Sequence, residues 1–281
     1  MHTGKYRISQ YVADRFRLDG GAMFGSVPKV LWSRKIAADE QNRIQLACRV
    51  LVVEGQGERI LVDVGMGRKW SEKEVGIFAI EYGLAGQIHE VVPDVTAVVL
   101  THMHFDHAGG VSYRDKADNL KLAFPKARHF LQRANYEIAR HPGLRYRASN
   151  MKENIEPLSE AQRTLTSDGE RILPGVSVHV SNGHTQGLQW VLIDTGVDRF
   201  VYPADLMPTS HHLGIPWVMG YDLCAETAMR EKEQFIRRAV DENWIIVFEH
   251  DPVVAAARIA YDAKGTPVMA EQVTLPEWGK Q

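Results

Sequence analysis

Thr101-His102-Met103-His104-Phe105-Asp106-His107-Ala108-Gly109-Gly110 places three histidines and one carboxylate within six residues. Neutral imidazole nitrogen and carboxylate oxygen are ligands that divalent transition metals accept, zinc above all. Four such groups this close exceed what one tetrahedral zinc uses without strain, so the spacing suggests two ions sharing the loop. The bland alternative is a histidine-rich surface loop. The apolar run Val95 to Leu100 leading into the ligands, and the two glycines after them, weigh against it.

The elements around this stretch must deliver it. Val95 to Leu100 has the length and β-branched content of a buried strand, which puts the ligands on the tight loop at its end. In an extended loop His102, His104 and Asp106 point one way while His107 turns with the backbone, and Met103 and Phe105 pack beneath. Residues 5–18 read as an opening strand. Leu46 to Val53 and Arg59 to Val64 read as two strands joined at Glu54-Gly55-Gln56-Gly57. The second ends in Asp63-Val64-Gly65-Met66-Gly67, where Asp63 is either a turn former or an acceptor that orients a ligand histidine. Arg133 to Arg140 reads as a helix stopped before Pro142. Residues 143–163 read as helix plus loop. Val176 to Val180, Gln189 to Asp194, Arg199 to Tyr202 and Trp244 to Phe248 read as strands. Ala225, Ala228, Met229, Phe235, Ile236, Ala239 and Val240 follow a helical period, with Asp222 as its N-cap.

Four times a strand ends and a histidine or aspartate sits just beyond: His102 to His107, His184, Asp205 and His250. Ligands at several strand ends converge on one edge of a sheet. His-x-His-x-Asp-His, a distant Gly-His-Thr, an Ala-Asp and a late His resemble the metallo-β-lactamase superfamily, over roughly residues 44–251. The resemblance implies an α/β fold, an αβ/βα four-layer sandwich of two mixed sheets with helices outside. It implies His102, His104 and His184 on one metal, Asp106, His107 and His250 on a second, and Asp205 bridging both. Asp63 resembles the superfamily's early aspartate behind a ligand histidine. Two zinc ions per chain are expected, with iron, manganese or cobalt as alternatives. Two such ions about 3.5–4 Å apart share a hydroxide at neutral pH and clamp the substrate oxygen. Asp106 is a ligand first, with a proton-relay role open.

Fold alone does not choose the reaction. Secreted metallo-β-lactamases with this first motif usually carry a cysteine where Asp205 stands. Glyoxalase-II-type thioesterases share the ligand set but add a helical C-terminal domain, and here 31 residues of strand-like composition follow His250. Ribonuclease-Z-like nucleases favour a basic arm. Quorum-sensing-type lactonases fit best, through Gly-His-Thr-x-Gly at 183–187, His-Asp at 250–251 and Phe130-Leu-Gln-Arg-Ala-Asn-Tyr-Glu. Acyl-homoserine lactonases commonly place a tyrosine three residues after the bridging aspartate, where this chain has Pro208. Help from that tyrosine is therefore missing or comes from elsewhere, with His212 and Tyr221 as the candidates. The substrate expected is a small ester or lactone; a thioester, a phosphodiester or an organophosphate is the alternative. A metal-binding protein without turnover and a di-iron redox enzyme are the readings from other classes.

Composition sets the remaining bounds. Apolar content of 44% and charged content of 24% are ordinary for a globular chain, and 281 residues accommodate one large α/β domain, read here as 1–281. Lys plus Arg at 33 against Asp plus Glu at 35 gives a formal charge of −2, with no bias towards nucleic acid or anionic membrane. No stretch approaches 18 apolar residues, and Met1 to Phe16 lacks the apolar core of a secretory signal, so cytoplasmic residence is expected. The two cysteines, Cys48 and Cys224, do not suggest an oxidising compartment. A homodimer is left open.

Overall fold

Ala97–Leu100 lies inside the first sheet, and its four side chains alternate between two cores. Ala97 and Val99 face the second sheet, while Val98 and Leu100 face the helices outside. That is the period of two that a strand buried on both faces requires. Full burial of one valine or leucine side chain contributes roughly 1.5–3 kcal/mol. A strand anchored this way fixes the position of whatever follows its last residue.

A computed structural model describes residues 5–280. Residues 1–4 and 281, part of the single domain expected over 1–281, lie outside the described residues. Among the described residues there are two seven-stranded sheets and one two-stranded sheet. In spatial order the first comprises Glu81–Tyr82, Arg7–Asp19, Arg43–Gly55, Glu58–Val62, Ala97–Leu100, Arg128–Gln132 and Gln162–Thr166. Its last four strands run parallel. The second comprises Arg171–Leu173, Val176–Ser181, Leu188–Asp194, Arg199–Tyr202, Ile245–Val247, Ala256–Tyr261 and Pro267–Val273. It is antiparallel except where Arg199–Tyr202 meets Ile245–Val247. Leu51, Val53, Ile60 and Val62 of one sheet pack on Val178, Leu188, Val191 and Tyr202 of the other. Helix Ala225–Asp241 covers the outer face of the second sheet through Phe235, Ile236 and Ala239, which meet Trp190, Trp244 and Ile246. This is the αβ/βα sandwich expected.

Two details differ from the sequence reading. The strand Gln162–Thr166 begins at the end of the stretch 143–163 read as helix and loop, and no strand was expected there. It is an edge strand whose first three residues are exposed, so its composition is polar and gives no apolar alternation. The N-cap of helix Ala225–Asp241 is Cys224, without a side-chain cap, and Asp222 is used elsewhere.

His129 sits fully buried on Arg128–Gln132. Its Nδ1–H donates to the Ala127 carbonyl at 3.1 Å, and its Nε2 has no partner among the described residues. Burial pushes its pKa down to about 4, from 6.5. The unfolded chain therefore takes up a proton that the folded chain refuses, and stability falls as pH drops from about 6.5 towards 4. The full loss is on the order of 3 kcal/mol. His129→Phe should remove this part of the acid sensitivity. Denaturant unfolding of the metal-free proteins at about pH 7.5 and pH 5 checks it, and equal losses in both proteins would contradict it.

Candidate metal centre

Four residues beyond Leu100, His104 is extended at φ −66° and ψ 155°. Phe105–Ala108 then makes one helical turn, so Asp106 and His107 arrive from a helix rather than from the extended loop expected. Gly109 and Gly110 make this possible. A Cβ at Gly109 would lie 2.0 Å from the Met66 carbonyl oxygen, and one at Gly110 2.1 Å from that of Val64. Their absence lets the motif dock on the Asp63–Gly67 loop, where Val64 N–H donates to His107 O at 2.9 Å. Asp63 has φ 56°, a conformation aspartate tolerates better than most residues. Its carboxylate accepts from the Thr101 N–H and hydroxyl, each at 2.7 Å, and from His107 Nδ1 at 2.9 Å.

The other ligand candidates come from the second sheet. His184 follows Val176–Ser181, in a loop held by Glu231, which accepts from Asn182 N–H and Gly183 N–H at 2.9 Å. Asn135 joins that loop to the motif, accepting from Met103 N–H and donating to Gln186 O at 2.9 Å. Asp222 places one oxygen 2.9 Å from His184 Nδ1 and the other 2.9 Å from Met219 N–H. Asp205 stands on the single turn Ala204–Leu206 after Arg199–Tyr202. His250 follows Ile245–Val247 and donates Nδ1–H to Ala47 O of the first sheet at 2.7 Å. With Nδ1 engaged in His107, His184 and His250, each Nε2 turns to the same space. Partners behind a ligand histidine fix its ring and its tautomer in this way.

The structure brings all seven candidate ligands together, in two sets. His102, His104, His184 and Asp205 form one and Asp106, His107 and His250 the other, the ligand atoms of each lying within 4.8 Å of one another. Asp205 faces both sets. Its Oδ2 is 3.1 Å from His184 Nε2 and 3.5 Å from His107 Nε2, and its Oδ1 is 3.2 Å from His250 Nε2. Imidazole nitrogens crowd one another: His184 Nε2 is 3.2 Å from His104 Nδ1, and His250 Nε2 is 3.2 Å from His107 Nε2. Bonds of about 2.0–2.1 Å in a tetrahedron put ligand atoms at roughly this separation. His102 Nε2 and Asp205 Oδ1 are buried without a hydrogen-bond partner among the described residues. Imidazole nitrogens and a carboxylate converging on one space suit a cation, and the set of ligand atoms fits zinc.

Electrostatics divide the histidines. Burial and the neighbouring imidazoles hold His102 and His104 well below the usual range. Burial also lowers His184 and His250, but Asp205 outweighs it, helped by Asp222 and Glu249 respectively, and both are pushed up to about 9. His107 is also raised well above the usual range despite its burial, by Glu249, Asp106 and Asp205. In the metal-free chain, protons on these rings supply the positive charge that the carboxylates demand.

The two sets open into one pocket of about 320 Å³. Leu18, Leu46, Phe78, Phe105, Met219 and Leu223 give it an apolar wall, and Arg145, Tyr146, Ser149 and Tyr221 its polar edge. Tyr221 is thus where the sequence reading put a catalytic candidate. Burial, with Asp19 and Asp106 nearby, pushes its phenol up to about 12. His212 is not brought to the pocket, which corrects the expectation for it. Its ring is buried and stacks on Phe24 at 4.8 Å, Nδ1 lies 2.8 Å from Thr209 Oγ1, and Nε2–H donates to Met23 O at 2.9 Å. Trp217 likewise packs edge-on against Phe24 at 5.6 Å. Beneath both, the buried Lys232 ammonium donates to the carbonyls of His212, Gly214 and Trp217 at 2.7–3.1 Å. Of the loop's aromatic and sulfur side chains, Met219 and Tyr221 reach the cavity. Phe105 is the opposite case: the helical turn carries it into the pocket wall, while Met103 stays buried in the core.

Two sheets back to back, and a histidine–aspartate cluster at the strand ends along one edge, define a fold and a site together. The model of the metallo-beta-lactamase superfamily matches residues 43–250, and the chain belongs to that superfamily. It is 29% identical over 161 residues to an N-acyl homoserine lactonase of Bacillus cereus, 56% of each protein. The chain thus spans about half the length of the first curated relatives it matches. It is 28% identical over 248 residues to a probable metallo-hydrolase of Mycobacterium tuberculosis, covering 74% of this chain and 76% of that protein. Among solved structures, a probable metal-dependent hydrolase from Staphylococcus aureus superposes with a TM-score of 0.84 at 28% identity, over 98% of this chain and 100% of that one. The dizinc quorum-quenching lactonase AidC superposes with a TM-score of 0.74 at 20% identity, over 97% and 96%, a likeness of fold.

Proposed function

We propose that this chain, as one domain, is a dinuclear metal-dependent hydrolase that opens a small ester or lactone bearing an apolar acyl group, with zinc as the ion. One observation carries the reading: two ligand sets, both faced by Asp205, open into a single pocket whose wall is mainly apolar. The lactonase names of the sequence relatives support the substrate class. His102, His104 and His184 would hold one ion, Asp106, His107 and His250 the other, and Asp205 would touch both. Bound there, two such ions supply Lewis acidity and lower the pKa of water towards neutrality. The apolar wall excludes water and orients the acyl group, which ions alone cannot do. Pocket volumes of about 300 Å³ and above suit small-molecule ligands.

Tyr221 takes the part for which Pro208 has no side-chain group. Its hydroxyl, still protonated at neutral pH, is the donor for a developing oxyanion or leaving oxygen. Tyr221→Phe should lower kcat by about 10–100-fold with metal content unchanged. An unaltered kcat would remove Tyr221 from the mechanism.

The function itself is tested on zinc-loaded protein with a panel of a lactone, a thioester, a phosphodiester, a phosphotriester and a β-lactam. The lactone should be hydrolysed fastest, with activity lost on chelation and restored by zinc. A thioester or phosphoester preference would transfer the assignment to that chemistry. No turnover of any substrate would leave a metal-binding protein.

A further inference from the structure

Glu249 is the residue that neither the fold nor the ligand sets account for. Its side chain is wholly buried, and neither carboxylate oxygen has a hydrogen-bond partner among the described residues. Oε2 lies 2.9 Å from His107 Nδ1, but that N–H serves Asp63 Oδ2, also at 2.9 Å. The nearby Arg49 guanidinium turns Nη1 to main-chain carbonyls, that of Glu249 among them, and Nε to the Gln10 side chain. A buried carboxylate without a donor costs several kcal/mol unless a cation offsets it. Four carboxylates surround the one ring of His107: Asp63 and Glu249 at Nδ1, Asp106 at 3.8 Å and Asp205 at 3.5 Å from Nε2. Two divalent ions carry four positive charges, the number those carboxylates require.

We propose that Glu249 is a positioning residue for the second ligand set, acting through His107: its buried carboxylate, 2.9 Å from His107 Nδ1, raises the affinity of Asp106, His107 and His250 for their ion. This rests on the dinuclear reading above. A third ion between Asp63, Glu249 and His107 Nδ1 is disfavoured by the hydrogen bonds Asp63 already makes to Thr101 and His107.

The test compares wild type with Glu249→Leu and Glu249→Gln, in zinc titrations against a chelating dye and in melts of the metal-free proteins. Glu249→Leu should weaken the second zinc by about 10–100-fold and leave the first unchanged. The melts of the metal-free proteins check that each variant folds. Glu249→Gln, which keeps the shape and loses the charge, should weaken the second zinc in the same way. A residue that only packs would lower the metal-free Tm and spare the affinity, and that result overturns the proposal. Three zinc ions in wild type, falling to two in both variants, overturn it in favour of a ligand role. Two ions in wild type with unchanged affinities in both variants dismiss Glu249 alone. One ion in wild type at saturation is the separate failure of the dinuclear reading.

Discussion

Asp205→Asn should lower kcat/KM by about 10²–10³-fold and leave one of two zinc ions loosely held. The carboxylate is placed for two tasks. Oδ2 lies 3.1 Å from His184 of the first set and Oδ1 3.2 Å from His250 of the second, so the carboxylate faces both ligand sets. Burial pushes its pKa up, but the facing His184, His107 and His250 outweigh this and hold it well below the usual carboxylate range. It therefore carries full charge wherever the protein is folded at neutral pH. The amide keeps the shape but removes the charge that offsets repulsion between two cations, and it turns one acceptor into a donor facing imidazole nitrogens. Losses of about this size follow removal of one preorganised charge-stabilising group from an active site. The metal-free variant should melt below metal-free wild type, because His184 and His250 lose the charge that holds their protons. Zinc counting by native mass spectrometry, beside steady-state kinetics, checks both halves. A variant with two ions and near-wild-type kcat/KM would show that Asp205 joins nothing.

How much of this was legible in the sequence depended on how local the constraint is. His102 to His107 could be read directly because metal ligation fixes residue types at fixed offsets, and the apolar strand before them fixes where they stand. His184, Asp205 and His250 were readable because each follows a strand end, the same rule repeated. Asp222 was legible as a polar residue before a helix and was given the cap that its neighbours explain. Its actual partner, His184, lies 38 residues away, and no local pattern points across that distance. Glu249 had the same disadvantage: beside a ligand histidine at a strand end, its side-chain direction decides everything.

His212 and Phe105 show the other limit. The segment from Pro208 to Tyr221 has neither helical nor strand period, so nothing in it says which side chains face inward. The single turn Ser210–His212 points His212 at Phe24, and Lys232 fixes the loop from below through three carbonyls contributed by sequence-distant residues. Phe105 was placed beneath the loop by assuming an extended backbone. One helical turn after His104 reverses that assignment, because a period of 3.6 replaces a period of two. The gross sandwich survives such local errors, since it rests on long alternating apolar strands such as Arg43–Gly55, whose interior is buried over eight consecutive residues.

Metal removal should produce the largest stability change in this protein, and the change should depend on pH. His184 and His250 stand at about 9 in the metal-free fold, against an ordinary 6.5. The folded metal-free chain therefore binds protons that the unfolded chain has lost. That contribution is complete below about pH 6.5 and disappears as pH rises through about 9. Zinc needs the same nitrogens deprotonated, so binding expels those protons and strengthens with pH over this window. Raising pH thus weakens the metal-free form while favouring the loaded one. At free zinc a thousandfold above Kd, each site contributes about 4 kcal/mol. Two sites in a chain of this size correspond to a Tm difference of roughly 10–20 °C. Calorimetric scans of chelator-treated and zinc-reloaded protein at about pH 6.5 and pH 8.5 should show that gap, wider at the higher pH. The reloaded protein should also release protons on binding, measurable as a buffer-dependent enthalpy in titration calorimetry. A gap of a few degrees, or one that narrows as pH rises, would mean that these histidines do not hold the ions.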